Sequence, residues 1–409
     1  MRSIFHRSVV MGAAGLALAL MAAPAFAQKK YDEGASDTEI KIGHTIPYSG
    51  NLSAYGVIGK THEAFFKMIN EQGGINGRKI TFVSYDDGYS PPKTVEMTRK
   101  LVEEDKVLFL FQQLGTAPNS AIHKYVNSKK IPHILISTGA SKWANPKEFP
   151  WTMGYQPDYA TEGVVYAKHI LATVKDAKIG VLMQNDDYGK DYFNGFKAGL
   201  GKENEAKIVQ LATYEASDPT VESQMIQLKN SGANVFFNIT TPKFAAQAIK
   251  KAAELGWKPV HYLNNVSASI GSVLTPAGLD NSVGIITAYY IKDATDPQWD
   301  SKPDVIAWKA FMAKYYPNGD IKDSSNAFAY SVVSTLAQIL KQCGDDLTRE
   351  NVMRQAANLK EFEAPMLLPG IKVSTSPTDY SPIQSVQLSR FDGKSFQLFG
   401  DILSNEAAK

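Results

Sequence analysis

Residues 40–85 read IKIGHTIPYSGNLSAYGVIGKTHEAFFKMINEQGGINGRKITFVSY. Ile40–Pro47 is a short apolar run that predicts a strand, and a Ser/Gly loop follows it. Val57–Glu71 then reads as an amphipathic helix, Gly73-Gly74 stops it, and Lys79–Tyr85 reads as a second strand. Strand, long helix and strand make a βαβ unit, the element of a parallel sheet.

The same rhythm continues outward. Pro91–Glu104 and Pro118–Ser128 are expected helices, with Val107–Gln112 and His133–Thr138 as strands; these complete one doubly wound lobe. Trp151–Pro157 interrupts the pattern with aromatic, Gly and Pro residues. A second series follows, in which helices Tyr159–Val174, Asp187–Leu200, Thr220–Ser231 and Pro242–Leu255 alternate with strands Lys178–Gln184, Ile208–Tyr214, Asn234–Ile239 and Pro259–Leu263. After Val283–Tyr290 helices return at Pro303–Tyr315, Asn326–Gln342 and Thr348–Ala357. Val386–Phe391 and Lys394–Phe399 predict a hairpin about a two-residue Asp392-Gly393 turn. The expected fold class is α/β, with two doubly wound parallel-sheet lobes.

The front of the chain sets the expected compartment. Arg2 and Arg7 precede the apolar stretch Val9–Ala23, and Ala25-Phe26-Ala27 is a small-x-small cleavage pattern, so residues 1–27 read as a signal peptide. The apolar run is shorter than the ~20 residues of a spanning helix. No Cys stands at the cleavage site, which argues against a lipid anchor, and nothing later reads as a membrane span. A periplasmic protein without direct membrane insertion is expected. Lys+Arg number 43 and Asp+Glu 41, and loss of Arg2 and Arg7 with the leader brings both to 41. This balance gives no support to nucleic-acid binding. Cys343 is the single cysteine, so no intrachain disulfide can form, and its apolar setting predicts a buried, inert thiol.

Catalytic patterns fail one by one. Ala54–Thr61 fits a relaxed phosphate loop, but Ala54 stands where the strict form needs Gly. Gly139-Ala140-Ser141-Lys142-Trp143 lacks the closing glycine of a nucleophile elbow. The seven histidines are scattered without metal-ligand spacing. Asp86-Asp87 and Asp186-Asp187 each follow a strand, where paired acids serve as helix caps or loop charges. The reading is a protein that is not an enzyme, with no catalytic residue, metal or cofactor.

Binding chemistry is left, at strand C-termini, where open α/β sheets hold ligands. Leu114–Ala117 ends the third strand and Ser137–Ser141 the fourth; both loops offer small residues, hydroxyls and N–H groups suited to a carboxylate. Tyr48, Tyr55, Trp143 and Tyr188 crowd the same ends and suggest an apolar wall with polar handles.

These stretches, with Ser49-Gly50, Tyr55-Gly56, Ile69–Arg78 (Asn70-Glu-Gln-Gly73-Gly74-Ile75-Asn76-Gly77-Arg78), Tyr85-Asp86-Asp87, Ile131-Pro132 and Asp187-Tyr188-Gly189, resemble the type I periplasmic binding proteins. More narrowly, the chain resembles the leucine/isoleucine/valine-binding family that serves ABC importers of the branched-chain amino acid type. The resemblance implies three crossings between lobes, with 38–157 plus about 291–360 as one lobe and 158–290 plus about 361–409 as the other. It implies a small organic ligand, permease subunits as membrane partners, and a monomer. Thr116 matches the hydroxyl that holds a ligand carboxylate; Gly139, Ala140 and Ser141 match a donor loop; Tyr55 and Tyr188 match tyrosines that line the pocket. Two positions depart. Thr240 stands where amino-acid binders have an aromatic, and Asn264-Asn265-Val266 stands where they place an acid against the ligand ammonium. An ammonium without such a partner is costly to bury. The expected ligand is a carboxylate with an apolar or aromatic body, with a branched-chain or other amino acid (or amide) as the alternative.

Overall fold

The computed structural model describes residues 29–404; the expected leader and its cleavage pattern lie outside them. After the two-residue strand β1 (Lys30–Tyr31) come β2 (Glu39–Ile46), β3 (Lys79–Asp86), β4 (Phe109–Phe111), β5 (His133–Ile136) and β6 (Thr152–Gly154). β2 to β6 form an all-parallel sheet in the order β3-β2-β4-β5-β6. The first three crossovers are helical: α1 (Gly56–Glu71), α2 (Pro91–Glu103) and α3 (Thr116–Ser128).

The chain then enters a second lobe. Helices α4 (Tyr159–Thr173), α5 (Asp187–Leu200), α6 (Glu222–Asn230) and α7 (Pro242–Glu254) alternate with β7 (Ile179–Gln184), β8 (Ile208–Tyr214), β9 (Val235–Ile239) and β10 (Val260–Leu263). Two short helices, α8 (Thr275–Ala277) and α9 (Leu279–Ser282), lead to β11 (Ile286–Tyr289). Helices α10 (Pro303–Tyr315) and α11 (Ser324–Cys343) return to the first lobe, where Thr61 on α1 donates to Asn326 on α11 at 2.9 Å. β12 (Asp346–Leu347) pairs with β1, and α12 (Arg349–Ala356) follows. The last crossing delivers β13 (Ser385–Phe391) and β14 (Phe396–Ser404), both antiparallel, to make the second sheet β14-β13-β11-β10-β9-β7-β8. The chain thus passes between the lobes three times. Every residue of β7 and β9 is buried, which is why these strands are mainly apolar rather than alternating, with Gln184 and Asn238 their only polar side chains.

The segment following α1 is a structural clasp. Gly74 N–H reaches the Ile69 carbonyl (2.9 Å) and Gly73 N–H the Asn70 carbonyl (3.3 Å), the paired bonds that close a helix C-terminus. The Asn70 amide then pairs both ways with the backbone of Ile80, at 2.8 and 2.7 Å, and so ties α1 to β3. Arg78 is buried, donates to the carbonyls of Ser36, Asn76 and Gly344, and meets Asp345 at 2.6 Å. It joins three parts of the first lobe.

Local differences from expectation have local causes. β4 is shorter than Val107–Gln112, and its C-terminal end stops at Phe111 where Gln112 turns to a φ of 56°. Within the interruption at Trp151–Pro157 lies β6, an edge strand too short to show periodicity. The tail hairpin turns over four residues, not two. The Asp392 carboxylate accepts the N–H groups of Lys394 (2.8 Å) and Ser395 (2.9 Å) and draws both into the loop. Cys343 is buried and free, its thiol pushed up to about 12 by burial. Among the described residues no helix is long and apolar enough to cross a membrane, and no cluster of metal-ligating side chains occurs.

Candidate ligand-binding site

The C-terminal ends of the parallel strands in both sheets face one cavity, which holds about 80 Å³ of room for the centre of a water molecule. A single water needs far less. Six tyrosines form much of the wall: Tyr55, Tyr89, Tyr159, Tyr188, Tyr289 and Tyr290. Hydroxyl and amide groups of Thr116, Ser137, Gln156, Thr241, Asn265, Ser324 and Ser325 supply the polar surface. Among the described residues that line it, none carries an ionisable acid or base other than the tyrosine phenols.

Four sequence candidates meet here: Tyr55, Thr116, Tyr188 and Val266. Tyr55 donates to the Val266 carbonyl across the cleft at 3.1 Å. Thr116 shares a 2.7 Å hydroxyl contact with Thr138. The Asn264 amide satisfies all its neighbours in one orientation. Its nitrogen then donates to the carbonyls of Thr240 (3.1 Å) and Asn238 (3.0 Å), and its oxygen accepts the Tyr188 hydroxyl at 2.6 Å.

The other four lie elsewhere. Gly139, Ala140 and Ser141 border a separate small cleft beside Tyr380 and Pro382. A Cβ on Gly139 would stand 2.4 Å from the Pro157 carbonyl oxygen and 2.7 Å from Tyr159, so close packing at the first crossing demands glycine. Ser141 engages Asp191 of α5 through its N–H (2.9 Å) and hydroxyl (2.5 Å), an inter-lobe contact. Thr240 is buried and donates to Asn238 at 2.7 Å; its neighbour Thr241 reaches the cavity. Tyr48 bonds Ser84 and Trp143 packs edge-on to His123, both away from the cavity. The paired acids cap and brace loops, as expected. Asp86 accepts from Tyr48, Ser49 and Gly88, and Asp186 caps α5.

Helix N-termini account for the polarity of the wall. α1, α3, α4, α5, α7 and α11 each bring a cap or first-turn residue to it: Tyr55, Thr116, Tyr159, Tyr188, Thr241 and Ser324. Asp158, Asp186 and Asp323 cap α4, α5 and α11 with their own carboxylates. α1, α3 and α7 have no side-chain cap. The first turn of α1 is already closed by the turn Ser53–Tyr55, whose Ser53 carbonyl accepts the Gly56 N–H, so it is the positive dipole ends of α3 and α7 that favour an anion. Burial pushes the Asp158 carboxyl up to about 6, with Asp191 adding to the rise, and raises Asp186 and Asp323 as well.

Sequence reasoning missed Tyr89, Tyr159, Tyr289, Tyr290, Ser324 and Ser325. Tyr89 lies just past β3, and Tyr289-Tyr290 end β11; a stricter search of strand C-termini would have found them. Ser324 and Ser325 come from the return helix, and no local pattern marks them.

The family model for periplasmic binding proteins matches residues 39–395. A Leu/Ile/Val-binding protein homolog 1 of Brucella abortus is 26% identical over 78% of this chain and 82% of its own length. A branched-chain amino acid ABC transporter protein of Thermus thermophilus with bound valine superposes with a TM-score of 0.80 at 15% identity, covering 91% of this chain and 98% of that one. A solute-binding protein of an ABC transporter from Rhodopseudomonas palustris, in complex with 3,4-dihydroxybenzoic acid, gives 0.74 at 16% identity, over 90% and 97%. With two parallel-sheet lobes closing on one cavity and a family match across most of its length, this chain belongs to the periplasmic binding proteins.

Proposed function

We propose that the protein is the extracytoplasmic binding component of an ABC importer, and that it captures a small carboxylate with an aromatic or other apolar body by lobe closure. The observation that carries the ligand class is the uncapped N-terminus of α3, at Gly115-Thr116, opening onto a tyrosine-rich wall without a charged side chain. A carboxylate gains from the free N–H groups, and the rings take an apolar body. An ammonium group would find no carboxylate on that wall.

Ligand docks first on Thr116 and Tyr55 in one lobe, and closure brings Tyr188 and the Asn265-Val266 loop of the other against it. The ligand favours the closed state only by its differential affinity for that state. The closed form is what the permease subunits recognise. The periplasmic location rests on the leader reading and the family.

A second reading, an amino acid ligand, is supported by the names of the Brucella relatives and by the valine-bound neighbour. Calorimetry with benzoate, 3,4-dihydroxybenzoate, Leu, Ile and Val separates the two. Binding of the aromatic acids is expected; tight binding of the amino acids alone overturns the carboxylate reading.

A further inference from the structure

We propose that Glu162 is the positioning residue of the ligand loop, holding Asn265-Val266 in place against the cavity through the Asn265 backbone N–H. Glu162 lies in the first turn of α4 and is 3% exposed. Its Oε1 accepts the Asn265 N–H at 2.7 Å and the Tyr166 hydroxyl at 2.6 Å, and its Oε2 accepts the Tyr192 hydroxyl at 2.7 Å. One carboxylate therefore ties α4, α5 and the loop after β10 to a single point. Its neighbours in the loop are anchored separately, Asn264 to Asn238, Thr240 and Tyr188, Ser267 to the Thr240 carbonyl and Ala268 to the Tyr289 hydroxyl. At Asn265 itself the backbone N–H goes to Glu162 and the side-chain amide to the Ala288 carbonyl at 2.6 Å. Val266 lines the cavity and receives Tyr55 from the other lobe. A shift at Asn265 would move both the wall and the closure contact.

The arrangement needs a group that only accepts. An ionised carboxylate meets three donors with no donor of its own, whereas an amide must turn an NH₂ toward a hydroxyl or an N–H. Burial pushes the Glu162 carboxyl up to about 7 against the pull of Tyr166, Tyr192 and Asn265. The titratable groups around it are Tyr159 and Tyr166 of α4, Tyr192 of α5 and Tyr290 after β11. All four phenols are raised above their usual value and stay neutral, so Glu162 is the member of this cluster that changes charge near neutrality.

The proposal rests on the ligand reading only for its consequence in binding. Hydrogen exchange on the ligand-free full chain tests it without any ligand, so its failure is distinct from failure of that reading. In Glu162→Gln the peptide spanning residues 263–268 is expected to exchange about tenfold faster or more, while peptides from β3 and β8 stay within about twofold. In the unmutated chain the protection of that peptide, corrected for intrinsic rate, is expected to fall as pH drops through about 7. This second arm needs no variant to fold. Unchanged exchange of 263–268 in the variant, acceleration of all peptides together, or a pH-independent loop in the parent overturns the proposal.

Discussion

Tyr55 donates its hydroxyl to the backbone carbonyl of Val266 at 3.1 Å, and the two residues come from opposite lobes. Asn51 makes a companion contact: its amide donates to the carbonyls of Ala216 (2.9 Å) and Asp218 (3.1 Å) and accepts from Lys243 at 2.8 Å. With Ser141–Asp191 and Lys142–Asp187 at the other end of the cleft, these bonds define a closed conformation. They exist only while the lobes are together, so they weight the open–closed equilibrium directly.

Tyr55→Phe removes one such bond and leaves the ring. The loss is about 1 kcal/mol, which moves the equilibrium about fivefold toward the open form. Asn51→Ala removes three contacts and is expected to open the protein further. Small-angle scattering and ligand titration check this; unchanged compaction and affinity in both variants contradict it.

Gly115→Ala is expected to damage the cavity without unfolding the protein. A Cβ there would stand 2.3 Å from the Tyr89 ring, and the backbone holds a φ of +100° that a side chain disfavours. Tyr89, itself at a φ of 60°, must then leave the wall. A loss of affinity of about tenfold or more is expected, since strain of about 1–3 kcal/mol enters the bound form. Calorimetry beside a thermal melt separates this from global destabilisation.

Arg78→Ala tests the clasp. It leaves the Ser36, Asn76 and Gly344 carbonyls without their guanidinium donor, at a cost of about 2–3 kcal/mol. Asp345 is half exposed, so water takes over its charge and adds little to the loss. Denaturant unfolding should show the loss, with ligand affinity unchanged.

Acid should destabilise the fold through buried histidines. Burial holds His44, His133 and His261 near 3, and His133 has no hydrogen-bond partner for either ring nitrogen. The unfolded chain takes up protons below about 6.5 while the native one does not, so stability falls as pH drops from there. Asp158 and Glu162 act the opposite way. Their raised values, about 6 and about 7, contribute stability that is present at low pH and lost as pH rises through them. His62, also fully buried and held well below its usual value, acts with these three histidines, while the raised Asp186 and Asp323 act with Asp158 and Glu162. The four buried histidines are expected to dominate, so the melting temperature should fall between pH 6.5 and 5. His133→Leu should make the slope of stability shallower by about 1.4 kcal/mol per pH unit; an unchanged slope would count against this account.

Much of the architecture was legible because burial on both faces turns strands such as Val235–Ile239 into nearly continuous apolar runs, broken there only by Asn238, while the helices between them keep their amphipathic spacing. Half of the candidate site was legible for a related reason. Tyr55, Thr116, Tyr188 and Val266 all follow strand C-termini, and the direction of the strand sends them to the cleft. Gly139–Ser141 follows the same rule and yet borders a different cleft, because packing of Gly139 against Pro157 and Tyr159 turns that loop aside.

What the residues alone determined is the local grammar: parallel βαβ units, glycine-stopped helices, acidic caps, and a ligand loop, Asn264-Asn265-Val266, without an acid of its own. What only the tertiary structure decided is which distant residues meet. Tyr55 and Val266 across the cleft, Ser324 and Thr116 on one cavity wall, and Glu162 beneath Asn265 are separated by long stretches of chain, and no periodicity encodes such distances. The acid sought after Tyr262-Leu263 is absent from that loop, but one stands behind it, donated by a helix a hundred residues earlier. Chain crossings and side-chain packing, rather than local sequence, bring such groups together, because each contact depends on the placement of whole elements and, for Tyr55–Val266, of the two lobes.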